Sequence, residues 1–168
     1  IDLPETLGIA IQALRALGFL HRKGYVHRDI SPDNLMLTRD ADGHSLVKLI
    51  DLGIVKILRE DSQATATLHY LGKPRYSSPE QLSSTSVDAR SDLYSVGVIL
   101  FEMLTGHLPF PYSEVSQVLA AHVRQAPPRF AQLGVRSLPP QVEEIVQLTL
   151  SKYPNERPQS ARELAALF

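Results

Sequence analysis

Residues 88–105 set the first constraint on any fold open to this chain. Leu93, Val96, Val98, Ile99, Leu100, Met103 and Leu104 recur through the stretch up to Gly106, apolar on most faces of a helix. Such a helix must be wrapped by other elements, because no side of it suits water. With 168 residues of which 43% are hydrophobic, the chain can build one compact domain around that helix.

The wrapping elements can be read from periodicity. Leu7, Ala10, Ile11, Leu14, Leu17 and Leu20 fall at helical spacing over residues 5–23, with Pro4 near the start and Gly24 just past the end. Three short apolar pieces follow, Tyr25-Val26, Leu35–Leu37 and Leu46–Ile50, and the turn-forming run Arg39–His44 predicts that the last two pair as a hairpin. Residues 60–86 lack periodicity and read as a long loop, a feature usually tied to function in compact domains. Helices are expected over 113–124, 140–151 and 159–167, punctuated by Pro127-Pro128, Pro139-Pro140, Pro154 and Pro158. The predicted class is α+β and mostly helical, with a small β-hairpin, a buried central helix and no internal repeat.

Charge and composition exclude several roles. The net charge is −1 with both signs interspersed, so no nucleic-acid partner and no polybasic membrane surface is expected. The absence of cysteine rules out disulfides, thiolate metal sites and cysteine nucleophiles, and fits a reducing, cytoplasmic setting. Ile1–Glu5 lack the basic start of a signal peptide, and no stretch reads as long and charge-free enough to span a bilayer, so no direct membrane contact is expected.

The chemistry-bearing segment is His27-Arg28-Asp29-Ile30-Ser31-Pro32-Asp33-Asn34, an Asp followed five residues later by an Asn. After it come Asp51-Leu52-Gly53, the run Gly72-Lys73-Pro74-Arg75-Tyr76-Ser77-Ser78-Pro79-Glu80-Gln81, and Ser91-Asp92-Leu93-Tyr94-Ser95-Val96-Gly97. Singly, each is an ordinary loop or helix start; in this order and spacing they closely resemble the C-terminal lobe of a protein kinase catalytic domain, of the bacterial Ser/Thr type. The resemblance covers nearly all of 1–168, yet only about two thirds of a usual kinase domain. No Gly-rich phosphate-covering loop, strand lysine or glutamate-bearing helix occurs in the chain, so the N-terminal lobe is absent from it.

The resemblance implies roles. Asp29 orients the substrate hydroxyl and takes its proton, Asn34 and Asp51 ligate Mg2+ (or Mn2+) and through it the phosphates of ATP, and Met36 packs under the adenine. Gly53 lets the backbone turn behind Asp51. His27 is a packed structural residue, Asp92 holds the catalytic-loop backbone, and Glu80 pairs with Arg157, an arrangement expected to be buried. Arg28 answers a phosphate on the activation loop, with Thr65 and Thr67 ahead of Ser62 as acceptors; the alternative is that these are plain loop residues.

Three positions depart from the family pattern. Ser31 stands where a lysine is usual, Lys73 where a threonine is usual, and Leu52 replaces a common phenylalanine. Either the hydroxyl and ammonium of Ser31 and Lys73 have exchanged places beside the transferring phosphate, or both changes are losses of function. Leu52 preserves an apolar body of similar use. The expected function is ATP-dependent transfer of the γ-phosphate to Ser/Thr hydroxyls of a protein substrate, by a segment inactive without its other lobe. A kinase-like scaffold without catalysis is the alternative, and a small-molecule phosphotransferase a distant third.

Overall fold

The computed structural model describes residues 2–51, 73–83 and 86–168. Helix α1 spans Leu3–Arg22, starting two residues before the predicted point because Asp2 caps it, accepting from the Glu5 N–H at 2.8 Å. It ends as Gly24 takes φ 79°, with the Tyr25 N–H donating to Leu20 C=O (3.1 Å) and the Gly24 N–H to His21 C=O (3.0 Å). That pair of bonds satisfies carbonyls the helix end would otherwise orphan.

Strands β1 (Leu35–Arg39) and β2 (Ser45–Leu49) form the expected antiparallel hairpin, with Leu35 opposite Leu49 and Arg39 opposite Ser45. The stretch read as loop contains two short pieces, a 3-10 turn at Pro74–Tyr76 and helix α2 at Pro79–Leu82. Proline begins each, and Ser78 and Gln81 close a capping box on α2, a local signal that periodicity does not register.

The central helix is α3, Ala89–Thr105, capped by Asp88 and closed by Gly106 at φ 74°. Every residue from Ser91 to Phe101 is buried. Around it stand α1 and α5 (Pro140–Thr149), with α6 (Ala161–Ala166) packed on α1 and α4 (Val115–Arg124) packed on α2. The hairpin rests on α1 through β2. By length and composition alone α1 would pass as a bilayer-spanning helix, which corrects the expectation that no stretch is apolar enough. Its apolar stripe is used otherwise: Ile9, Ala10, Ala13, Leu14 and Leu17 are buried in the two core clusters.

Two features of the core are sensitive to single changes. At Gly97 a Cβ would stand 2.8 Å from Thr149 Cγ2 and 3.2 Å from Leu150 Cδ2, so α3 and the end of α5 approach closely only because the side chain is missing. His122 of α4 is buried, its Nδ1 3.0 Å from Tyr94 Oη and its ring edge-on to Phe110 at 4.9 Å. Burial, with the nearby charge of Lys152, pushes its imidazole down to about 4.

Gly97→Ala should destabilise by about 1–3 kcal/mol in urea unfolding, because overpacking outweighs the gain in helix propensity. For His122 the folded pKa lies below the unfolded value of 6.5, so its contribution is whole above pH 6.5 and is lost as pH falls through about 4. That contribution is roughly 3 kcal/mol. Urea unfolding at pH 7 and pH 4.5 should show a smaller loss for His122→Gln than for the unaltered protein.

Candidate active site

The catalytic loop is held in a conformation that its sequence alone disfavours. Arg28 sits at φ 66°, a left-handed backbone that costs a non-glycine residue of order 1–3 kcal/mol. Asp92, buried in the first turn of α3, opposes this cost: its carboxylate accepts from the backbone N–H of His27 (2.9 Å) and of Arg28 (2.8 Å). His21 Nε2, from the last turn of α1, lies 2.8 Å from the same carboxylate. On the other side, Gln81 Nε2 donates to the Arg28 carbonyl at 2.7 Å. Arg28 is thus gripped at both of its peptide groups.

The next residues point the reactive groups. His27 is buried, with Nδ1 accepting from the Asp29 N–H at 3.3 Å. The Asn34 amide donates to the Asp29 carbonyl (2.6 Å) and to its carboxylate (3.1 Å), fixing Asp29 in orientation. This spends the nitrogen of Asn34 and leaves its amide oxygen for another partner. The Ile50 N–H donates to Asn34 C=O at 3.0 Å, which brings the end of β2 to the loop and places Asp51 beside it. Asp51 is exposed, at φ 60°, with no ion pair among the described residues. An amide oxygen and a free carboxylate are a hard oxygen donor set of the kind Mg2+ accepts.

Other predicted residues fall as follows. Lys73 pairs with Asp33, and Ser31 is fully buried with its Oγ lacking a hydrogen-bond partner among the described residues, so no hydrogen bond joins the two. Met36, on β1, is 47% exposed, open to whatever covers this edge of the lobe. The Arg28 guanidinium has no carboxylate partner among the described residues. Leu52, Gly53, Ser62, Thr65, Thr67 and Gly72 lie outside the described residues.

Glu80 and Arg157 meet as a buried two-pronged pair, Nη1 to Oε1 at 2.7 Å and Nη2 to Oε2 at 2.9 Å. The remaining donors are also used: Arg157 Nε reaches Ser151 C=O (2.7 Å) and Nη2 reaches Lys152 C=O (3.0 Å). Ser91 Oγ donates to Glu80 at 2.6 Å. Burial alone would raise the Glu80 carboxyl, but the hydrogen bonds from Arg157 and Ser91 and the Arg157 charge outweigh it and hold it below the usual range. Tyr76, in the 3-10 turn before α2, donates to Glu102 at 2.7 Å; burial and that carboxylate push its phenol well above the usual range.

Several positions that matter here carried little signal in the sequence. His21 has no motif role, Asp33 entered only as a member of the catalytic-loop motif with no partner foreseen, and Ser91 only as part of a helix start. Gln81 could have been singled out, since Ser-x-x-Gln is a capping-box pattern.

Helical lobe, hairpin and loop are arranged as in the C-terminal lobe of a protein kinase domain. The family profile described as "Protein kinase domain" matches residues 3–167, and the chain belongs to that family. It is 42% identical over 164 residues to a probable serine/threonine-protein kinase of Streptomyces coelicolor, covering 96% of this chain and 24% of that protein. It is 36% identical to serine/threonine-protein kinase PknB of Mycobacterium leprae, covering 96% of this chain and 25% of that protein. Identity to serine/threonine-protein kinase PksC of Streptomyces coelicolor is 41%, covering 94% of this chain and 28% of that protein. The chain thus spans about a quarter of the length of the curated relatives it matches.

Removing one partner of the Glu80–Arg157 pair strands the other in the interior. Arg157→Met should therefore cost about 3–5 kcal/mol in denaturant unfolding, whereas the double change Glu80→Leu with Arg157→Met should cost clearly less.

Proposed function

We propose that this chain is the catalytic-loop lobe of a cytoplasmic Ser/Thr protein kinase that transfers the γ-phosphate of ATP to hydroxyls of a protein substrate. The observation that carries this reading is the bonding of Asn34 to Asp29. By spending its amide nitrogen on Asp29, Asn34 orients a carboxylate toward an incoming hydroxyl and keeps its own oxygen for a cation.

Asn34 and Asp51 are the residues to hold Mg2+, and the bound ion supplies neutralisation of phosphate charge. Asp29 positions the hydroxyl and accepts its proton. Met36 offers an apolar surface to the adenine. Lys73, held at the rim by Asp33, provides a cation where Ser31, buried and without a charge, does not; on this reading the family's lysine has been replaced across the cleft. Arg28 is the residue to receive a phosphate borne by Thr65 or Thr67. His27, Asp92, Glu80 and Arg157 act through the backbone they hold, and Gly53 through the turn it permits.

The alternative of a non-catalytic docking lobe draws on Ser31, whose buried hydroxyl cannot replace a lysine ammonium. Transfer of labelled phosphate from Mg-ATP to casein separates the two. Asp29→Asn, placed in the kinase that carries this segment, should lower transfer by about 10²–10⁴-fold while leaving the thermal midpoint near that of the unaltered protein. Equal transfer by both proteins would overturn the catalytic assignment.

A further inference from the structure

On the side of the lobe built by α2, the C-terminal end of α4 and the turn after α5 lies an open cleft of about 700 Å3. Pro79, Glu80, Ser83, Arg124, Lys152 and Tyr153 line it, and none of Asp29, Asn34 or Asp51 does. Its charge is unbalanced. Glu80 is matched by Arg157, but Lys152 and Arg124 have no carboxylate partner among the described residues.

The setting of Lys152 is unusual for an unpaired cation. Its ammonium stands 4.6 Å from the centroid of the Phe110 ring and 5.6 Å from that of Tyr94, and donates to Tyr94 Oη at 3.3 Å. Burial, with the Arg157 charge adding, pushes its amine down to about 8, so the positive charge is held at a cost that a nearby anion would relieve. His122, in the same cluster, is uncharged at neutral pH and adds no competing cation. Apart from Glu80 and Ser83, the remaining walls are apolar or aromatic, with Pro79 and Pro154 on the sides and Tyr153 66% exposed at the rim.

We propose that this cleft docks an acidic peptide segment of a protein partner, with Lys152 taking a carboxylate at the floor, Arg124 a second at the rim, and Tyr153 contacting an apolar side chain between them. Two cations and apolar walls suit such a segment. A nucleic-acid backbone calls instead for a basic stripe, and the net charge of −1 supplies none. The site is separate from phosphotransfer and is tested without it.

The test is fluorescence anisotropy with a labelled peptide of alternating glutamate and leucine, beside its counterpart carrying glutamine for each glutamate. The acidic peptide should bind and the amide peptide should bind at least about tenfold more weakly. Lys152→Met should weaken the acidic peptide by about tenfold or more, as expected for a charge-assisted contact in a partly buried site. Arg124→Gln, at an exposed position that leaves the fold intact, should weaken it by about two- to fivefold. Arg129→Gln, a cation paired elsewhere with Glu143, should leave binding unchanged. Equal binding of the two peptides, binding of neither, full affinity in Arg124→Gln, or a comparable loss in Arg129→Gln would each overturn the proposal.

Discussion

The Asp92 carboxylate is the point through which the lobe is tied together. It is 1% exposed and takes hydrogen bonds from two successive backbone amides of the catalytic loop, with His21 of α1 against it. Its place in the first turn of α3 adds the favourable field of a helix N-terminus. One side chain therefore joins the end of α1, the central helix and a loop residue held at positive φ. Without that grip, Arg28 would relax toward ordinary backbone angles, and Asp29, the next residue, would turn with it.

A second tie works from the opposite flank. Gln81 reaches the Arg28 carbonyl from α2, and the neighbouring Glu80 anchors α2 to Arg157 near the C-terminus. The pair is stable because its donors are all spent: the guanidinium meets a carboxylate, three carbonyls and the face of Tyr94 at 4.8 Å. A buried charge pair without such partners would cost more in desolvation than it returns. Helix α2 and the catalytic loop thus share one framework, and α2 also lines the cleft around Lys152.

Local patterns made much of this legible. Asp29 and Asn34 lie within one short loop, so their spacing alone brings them together, and Asp51 follows from a hairpin whose turn residues are plain in the chain. The all-round apolar helix announced itself as core. The bilayer criterion is different: α1 satisfies it by composition, and only its packing shows that the stripe is used inside the protein. Likewise the residue types at Ser31 and Lys73 suggested an exchange of groups, but that Lys73 meets Asp33 of the catalytic loop is seen only once the chain is packed.

Periodicity marked the central helix and the hairpin, and the motif order carried the resemblance to the family, because these depend on neighbours within a turn or a hairpin. The resemblance implied the Glu80–Arg157 pair and the Asp92 bonds to the loop backbone, whose partners are 77 and 64 residues apart, whereas the meeting of Asp33 with Lys73, 40 apart, was left to the tertiary structure. Such pairings depend on the packing of whole elements around α3, which no local pattern encodes. The same packing leaves Lys152 among aromatic rings with no carboxylate partner among the described residues, and so creates a charged cleft apart from the catalytic loop.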